Sequence, residues 1–96
     1  MNREESILID TMECCAELSK CVSKLLRFGD ETALAESNPT DLVNCFHKLE
    51  AMIQLLQDRG VVPVLPEEEA ELVRKNKIKM FNHFIGVSYE NGRISD

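Results

Sequence analysis

The sequence has no tryptophan, a single tyrosine and no long hydrophobic run. A membrane-spanning helix needs about 18 consecutive apolar residues, so we expect no membrane span. The first ten residues are too polar for a secretory signal, and we therefore expect a cytoplasmic protein. Hydrophobic residues make up 44% of the chain and charged residues 29%, which excludes a disordered polymer and indicates a globular one.

Positive charge is also scarce. Eleven basic residues face 17 acidic ones, and the net charge is −6. Proteins that coat nucleic acid neutralise its phosphates with lysine and arginine, so general nucleic-acid binding is not expected. A local basic patch remains compatible with this balance.

The four cysteines, Cys14, Cys15, Cys21 and Cys45, include no C-x-x-C pair. Cys45 and His47 are two residues apart, which on a helix directs them to different faces. A structural zinc site is therefore not expected. In a chain without a secretory signal, we predict free thiols that act as small buried hydrophobic side chains.

Apolar residues recur at helical spacing in three segments, so we predict one all-α domain over residues 1–96. Its helices should span about 4–28, 39–58 and 66–86, as a helical hairpin plus a third helix. Gly29 should end the first helix, Pro39 and Pro66 suit the first positions of the next two, and Gly86 should end the last. The stretch 61–65, interrupted by Pro63, should be an extended, packed connection.

Each predicted helix carries a broad apolar face. The first has two adjacent stripes, one comprising Ile7, Cys14, Leu18, Cys21, Leu25 and Phe28, the other Leu8, Met12, Cys15, Val22 and Leu26. The second helix has a stripe of Leu42, Phe46, Leu49, Ile53 and Leu56, widened by Val43, Cys45, Met52 and Leu55. These faces exceed what one three-helix core can bury, so we expect a homo-oligomer that completes the bundle.

The polar face of the first helix carries the candidate chemistry. Glu13 and Glu17 stand one turn apart, a spacing that can hold Mg²⁺ or can simply be a solvated face. Further along, Lys20, Lys24 and Arg27 form a basic strip, which Lys48 and Lys77 could join to hold phosphates. A solvated basic patch is the alternative for this strip. His47 is either a phosphate-contacting residue or an ordinary surface histidine.

Two strings in the first helix, MECCAEL at 12–18 and SKLLRFG at 23–29, resemble the opening of phage-type MazG-like proteins. These belong to the all-α nucleoside triphosphate pyrophosphohydrolase superfamily. The similarity continues through 38–56, 75–84 and 88–94. It implies a helical hairpin with a third helix, and a site where an E-x-x-E and an E-x-x-D motif bind Mg²⁺ at the phosphates of a nucleotide.

The four metal positions of that motif correspond to Cys14, Glu17, Cys45 and Lys48. Only Glu17 is a carboxylate, so the sequence departs from the motif at the other three. Cysteine suits Mg²⁺ poorly, and Lys48 brings a positive charge to the place of the cation. The resemblance therefore implies a catalytically impaired member without a metal cofactor. It would bind a nucleotide or cyclic-nucleotide-like ligand through Glu17, Lys20, Lys24, Arg27, Lys48 and Lys77.

If the gene is viral, the protein would act in the host cytoplasm as a sponge for a host nucleotide signal used in defence. Two alternatives remain open. One is an active, Mg²⁺-dependent pyrophosphohydrolase with an altered site built from Glu13, Glu17, Asp41 and Glu50. The other is a protein-interaction module that inhibits a host protein.

Overall fold

The computed structural model describes residues 1–28 and 38–95. Within them it contains three helices, α1 (Arg3–Phe28), α2 (Asn38–Asp58) and α3 (Glu67–Glu90), and no strand. The all-α prediction is confirmed. The chain divides into two compact units, Met1–Pro63 and Val64–Asp96, which are described separately below.

The ends of α1 and α2 follow from local hydrogen bonding. Asn2 caps α1, since its Oδ1 accepts a hydrogen bond of 2.8 Å from the backbone N–H of Glu5. After α2, the N–H of Gly60 bonds to the carbonyl of Gln57 and that of Val61 to the carbonyl of Leu56. This pattern is a Schellman motif, and it requires the positive φ of 72° that Gly60 adopts. The predicted end of α1 at Gly29 lies outside the described residues.

Helix α3 ends later than predicted, for the same physical reason. The pair of closing bonds forms at Gly92, whose N–H bonds to Tyr89, and at Arg93, whose N–H bonds to Ser88. Gly92 has the positive φ of 72° that this motif needs, whereas Gly86 lies inside the helix. A glycine inside a helix costs only about 1 kcal/mol, so Gly86 does not end α3.

Helices α1 and α2 pack against each other as an antiparallel hairpin. The direction follows from two observations. Cys21, late in α1, contacts Cys45, early in α2, and Met52, late in α2, lines one depression with Ile7, early in α1. Buried and half-buried side chains recur at alternating intervals of three and four residues. We call this set the hairpin seam; it comprises Ile7, Thr11, Cys14, Leu18, Cys21 and Leu25 on α1, and Leu42, Cys45, Leu49, Met52 and Leu56 on α2.

The seam is narrower than the sequence suggested. On α2, Phe46 and Ile53 were expected to pack inward, but they are 48% and 37% exposed, and Cys45 and Met52 take those places. On α1, the second stripe lies outside, with Met12 70% and Leu26 82% exposed. A single pair of helices contacts along a seam of heptad spacing rather than a broad face, so the other apolar side chains of these stripes are exposed in the single chain.

Two further expectations need correction. Cys15 is exposed and Cys21 is half-buried, so only Cys14 and Cys45 are buried as predicted. The connection after α2 is free of strand structure as expected, but Val64 is 69% exposed and so does not pack as predicted.

The second unit consists of α3 and the turn after it. All residues of α3 are described, and none of them is buried. Its first turns are tied by Arg74, whose guanidinium donates to Glu67 at 2.6 Å and to Glu71 at 2.7 Å. The pKa of Arg74 is raised by these hydrogen bonds, that to Glu71 most. No helix among the described residues is long and apolar enough to cross a membrane.

Candidate functional site

An open cleft of about 670 Å³ lies between α1 and α2. We call it the interhelical cleft. Its walls carry charged and polar side chains, and two cysteines of the seam, Cys21 and Cys45, form part of its floor. The lining residues are Glu17, Lys20, Cys21 and Lys24 from α1, with Asp41, Asn44, Cys45, His47, Lys48 and Ala51 from α2.

Helical periodicity places these residues together. On α1 the lining positions follow one another by three, one and three residues from Glu17 to Lys24, which keeps them on one helix face. On α2, Asp41, Asn44, Cys45 and Lys48 have the same spacing, and His47 and Ala51 line the cleft beside them. Cys21 and Cys45 belong both to these faces and to the seam, so the cleft is the polar margin of the helix contact.

The cleft is positively charged within a negatively charged chain. Lys20, Lys24 and Lys48 line it beside the carboxylates of Glu17 and Asp41, a surplus of one positive charge. The whole chain has a net charge of −6. The charge of the cleft is therefore opposite in sign to that of the chain as a whole.

Cys14 is buried at 9% exposure, close to the cleft. Burial raises the pKa of its thiol, and the negative charges of Asp10 and Glu17 raise it further. Lys48 acts on the same pKa in the opposite direction. The four positions at which the sequence resemblance predicted a metal motif therefore lie in one neighbourhood. Glu17, Cys45 and Lys48 line the cleft, and Cys14 is within electrostatic reach of Glu17 and Lys48.

The two cysteines in the cleft floor touch. Their Sγ atoms, one on Cys21 and one on Cys45, are 3.2 Å apart. This hydrogen bond and burial raise the pKa of Cys45. Cys45 is 8% exposed and Cys21 is half-buried. The raised pKa keeps the Cys45 thiol protonated and neutral at neutral pH, and the charge of the cleft comes from its walls.

The structure brings together four of the six residues predicted to bind a nucleotide, namely Glu17, Lys20, Lys24 and Lys48. Arg27 is exposed on the last turn of α1 and is not among the described side chains that line the cleft. Lys77 belongs to α3, in the second unit. The predicted strip is thus realised by its three lysines from α1 and α2.

His47 lies on the α2 side of the cleft. Its Nδ1 is 2.6 Å from the Oε1 of Glu50, and both side chains are more than half exposed. Its ring also contacts Phe46 at 5.3 Å between ring centroids. These two contacts hold the imidazole at the rim, where it can meet a ligand that enters the cleft.

The residues present do not fit Mg²⁺, the cation that the MazG-like resemblance implies. Mg²⁺ is held by oxygen ligands, and in the cleft Glu17 and Asp41 share their space with three ammonium groups. Among the described residues, no three histidine, cysteine, aspartate or glutamate side chains are grouped closely enough to hold a metal ion.

The carboxylates of the altered enzyme site are likewise dispersed. Glu13 lines a second depression, of about 330 Å³, together with Asp10 and Met52. Glu50 is paired with His47. Only Glu17 and Asp41 of that set line the interhelical cleft.

Sequence reasoning missed Cys21, Asn44 and Ala51 as lining residues. Helical spacing could have identified them, because each stands three or four residues from a residue already proposed for the site. Cys21 follows Glu17 by one turn, and Ala51 follows Lys48 by three residues. Their types, a small hydrophobic residue, an amide and an alanine, gave no chemical reason to select them.

The chain matches no protein-family model, no curated protein and no solved structure.

Proposed function

We propose that the interhelical cleft binds the phosphate groups of a nucleotide or cyclic-nucleotide-like signal without a metal ion. The observation that carries the proposal is the convergence of Lys20, Lys24 and Lys48 from two helices on one open cleft. Ammonium groups bind phosphate as point charges. Three of them around one opening form a site for the multiple charges of a nucleotide.

The volume and lining of the cleft are compatible with this ligand class. A cavity of about 670 Å³ is within the usual range of small-molecule sites, about 300 to 1,000 Å³. Asn44 supplies an amide, and Glu17 and Asp41 supply acceptors that suit the hydroxyl groups of a sugar. The cysteine floor offers an apolar surface to the flat face of a base.

The proposal keeps the MazG-like resemblance as its framework, in a catalytically impaired form. Lys48 occupies one of the aligned metal positions and supplies a fixed positive charge there. Pyrophosphate hydrolysis in such enzymes depends on a metal that clamps the phosphates and activates water. In a phage, a protein that binds without hydrolysis would act in the host cytoplasm as a sponge for a nucleotide signal of host defence.

We further propose that the protein forms a homo-oligomer. The outer stripe of α1 exposes Leu8, Met12, Val22 and Leu26, an apolar surface that water does not favour. A second copy of the chain is the occupant that the broad apolar faces suggest. Light scattering that shows a stable monomer at high micromolar concentration would contradict this part of the proposal.

Calorimetric titration with ATP and with cyclic di-AMP, each in EDTA at low salt, tests the binding site. Each lysine–phosphate contact should contribute about 1.5 to 3 kcal/mol, so Lys24→Ala and Lys48→Ala should each weaken binding about tenfold or more. Binding should also weaken as salt is added.

Arg59→Ala is the matched control. It removes one positive charge from the same unit. Arg59 stands eight residues after Ala51, the last lining residue of α2, which is about 12 Å at the rise of an α-helix. Its affinity should equal that of the wild type. The proposal fails if EDTA abolishes binding or if Arg59→Ala weakens it as much as Lys48→Ala. Pyrophosphate release with Mg²⁺ at about 1 per second or faster would instead favour the altered enzyme.

A further inference from the structure

Cys21 and Cys45 form a thiol pair that joins the two helices of the hairpin. Their Sγ atoms are 3.2 Å apart, across 24 positions of sequence. Both line the interhelical cleft, so the pair lies at an opening to solvent rather than in a sealed core. A disulfide bond is about 2.05 Å long, and the two sulfur atoms therefore need to approach by only a little more than 1 Å.

The other two cysteines are placed differently. Cys14 and Cys15 are neighbours on α1, and adjacent helix positions do not face each other. Cys14 is buried and Cys15 is exposed. The chain thus contains one cross-helix thiol pair, and the buried Cys14 serves as an internal reference for it.

We infer that Cys21 and Cys45 are a redox-reactive pair, which hydrogen peroxide converts into a reversible disulfide between α1 and α2. The inference does not depend on the proposed nucleotide function. It rests on the sulfur–sulfur distance, on the position of the pair at the cleft and on the packing of the two helices that holds both thiols in place.

The reaction has two steps. The half-buried Cys21 is the accessible thiol, and its sulfur, as the thiolate, attacks one oxygen of the peroxide. The O–O bond breaks, a sulfenic acid forms on Cys21, and the hydroxide that leaves takes up the thiol proton as water.

In the second step the sulfur of Cys45 attacks the sulfur of the Cys21 sulfenic acid. The S–S bond forms, the S–O bond breaks, and the departing hydroxide leaves as water with the proton of Cys45. In total, two thiols and one hydrogen peroxide yield one disulfide and two molecules of water. The two sulfur atoms lose two electrons, and the peroxide gains them.

The test uses the full chain with the substitution Cys15→Ser, which removes the exposed thiol and with it cross-linking between copies. The reduced protein is exposed to hydrogen peroxide, treated with N-ethylmaleimide and mapped by mass spectrometry. We expect loss of two hydrogen atoms, a linked peptide that contains Cys21 and Cys45, and maleimide on Cys14 alone after unfolding. Dithiothreitol should restore labelling at all three remaining cysteines.

Cys21→Ser and Cys45→Ala, each added to this background, should both abolish the linked peptide, while circular dichroism verifies that their helix content is retained. In Cys21→Ser, Cys45 should stay reduced, because it is the buried partner. The inference is wrong if the linked peptide is absent from the oxidised protein, if Cys14 replaces either partner, or if Cys21 proceeds to sulfinic acid without forming the bond.

Discussion

Replacing Glu17 by glutamine should change the affinity for ATP in opposite directions at a metal-free site and at a metal-dependent site. Glu17 lines the cleft with Lys20, Lys24 and Lys48, and it is the one carboxylate among the four positions at which the sequence resemblance predicted metal ligands. Glutamine keeps the shape of the side chain and its acceptor oxygen but removes the negative charge. If lysines alone hold the phosphates, Glu17 repels the ligand, and Glu17→Gln should bind ATP more tightly than the wild type.

The size of the gain follows from Coulomb's law. Glu17 and the lysines line the same cleft, so we take about 6 Å between its carboxylate and a bound phosphate. In water, the repulsion of two unit charges at about 6 Å corresponds to about a threefold change in the dissociation constant. The lower dielectric of the cleft increases this effect, and salt decreases it. The gain should therefore be largest at about 0.01 M ionic strength.

Calorimetry with ATP in EDTA measures the effect, with Glu4→Gln as the matched control. Glu4 lies in the first turn of α1, thirteen residues before Glu17 and thus about 20 Å away along the helix. Its removal should change affinity by less than about 1.5-fold. The reasoning is refuted if Glu17→Gln binds ATP more weakly in EDTA, or if both substitutions have the same effect. Loss of Mg²⁺-dependent binding in Glu17→Gln alone would point to a metal site.

Two further predictions concern the hairpin itself. Leu56 is 2% exposed, so Leu56→Ala should lower the free energy of unfolding, measured by urea denaturation, by about 2 to 5 kcal/mol. Leu55 is 42% exposed, and Leu55→Ala should change the same free energy by less than about 1 kcal/mol. Equal losses in the two variants would contradict the packing of the seam. The pKa of Cys14 is raised by burial and that of Cys45 by its hydrogen bond and burial, so the folded hairpin holds these protons when the unfolded chain has released them. Its stability should therefore fall as pH rises through about 8.5, the ordinary thiol pKa. The melting temperature should fall less between pH 8 and 10 in a Cys14→Ala, Cys45→Ala double variant than in the wild type. An equal fall in both proteins would show that other groups cause it.

The fold could be predicted to the extent that it depends on local signals. Helix positions follow from periodicity and from residues such as Pro39 and Pro66, whose effects are confined to one turn. The sequence identifies Leu42, Leu49 and Leu56 on the inward face of α2. It does not decide between Cys45 and Phe46, because they are adjacent, both apolar, and separated by only about 100° around the helix. The packing partner decides between them. It selects the smaller residue, which lets the two helices approach.

The same distinction applies to the site. Lys20, Lys24 and Lys48 were identified from charge and spacing, and α1 and α2 bring them together. The hairpin pairing, which the sequence does not state, determines which further residues line the opening. Arg27 and Lys77 have the right charge, but the cleft draws its described lining from residues 17–24 and 41–51, and charge alone does not distinguish them from the lysines that do line it.

The antiparallel packing of α1 and α2 makes both the hairpin seam and the interhelical cleft depend on helix length. In such a pair, a step forward along α1 is matched by a step back along α2, so the pairing of residues across the seam depends on the number of residues in each helix. Substitutions on the outer stripe leave this count unchanged, whereas inserting one residue between Cys14 and Cys21 would rotate everything after it by about 100°. Such an insertion would carry Cys21 and Lys24 away from their partners on α2 at once. The lining of the interhelical cleft is therefore insensitive to changes of residue type on the outer stripe and sensitive to any change in the length of either helix.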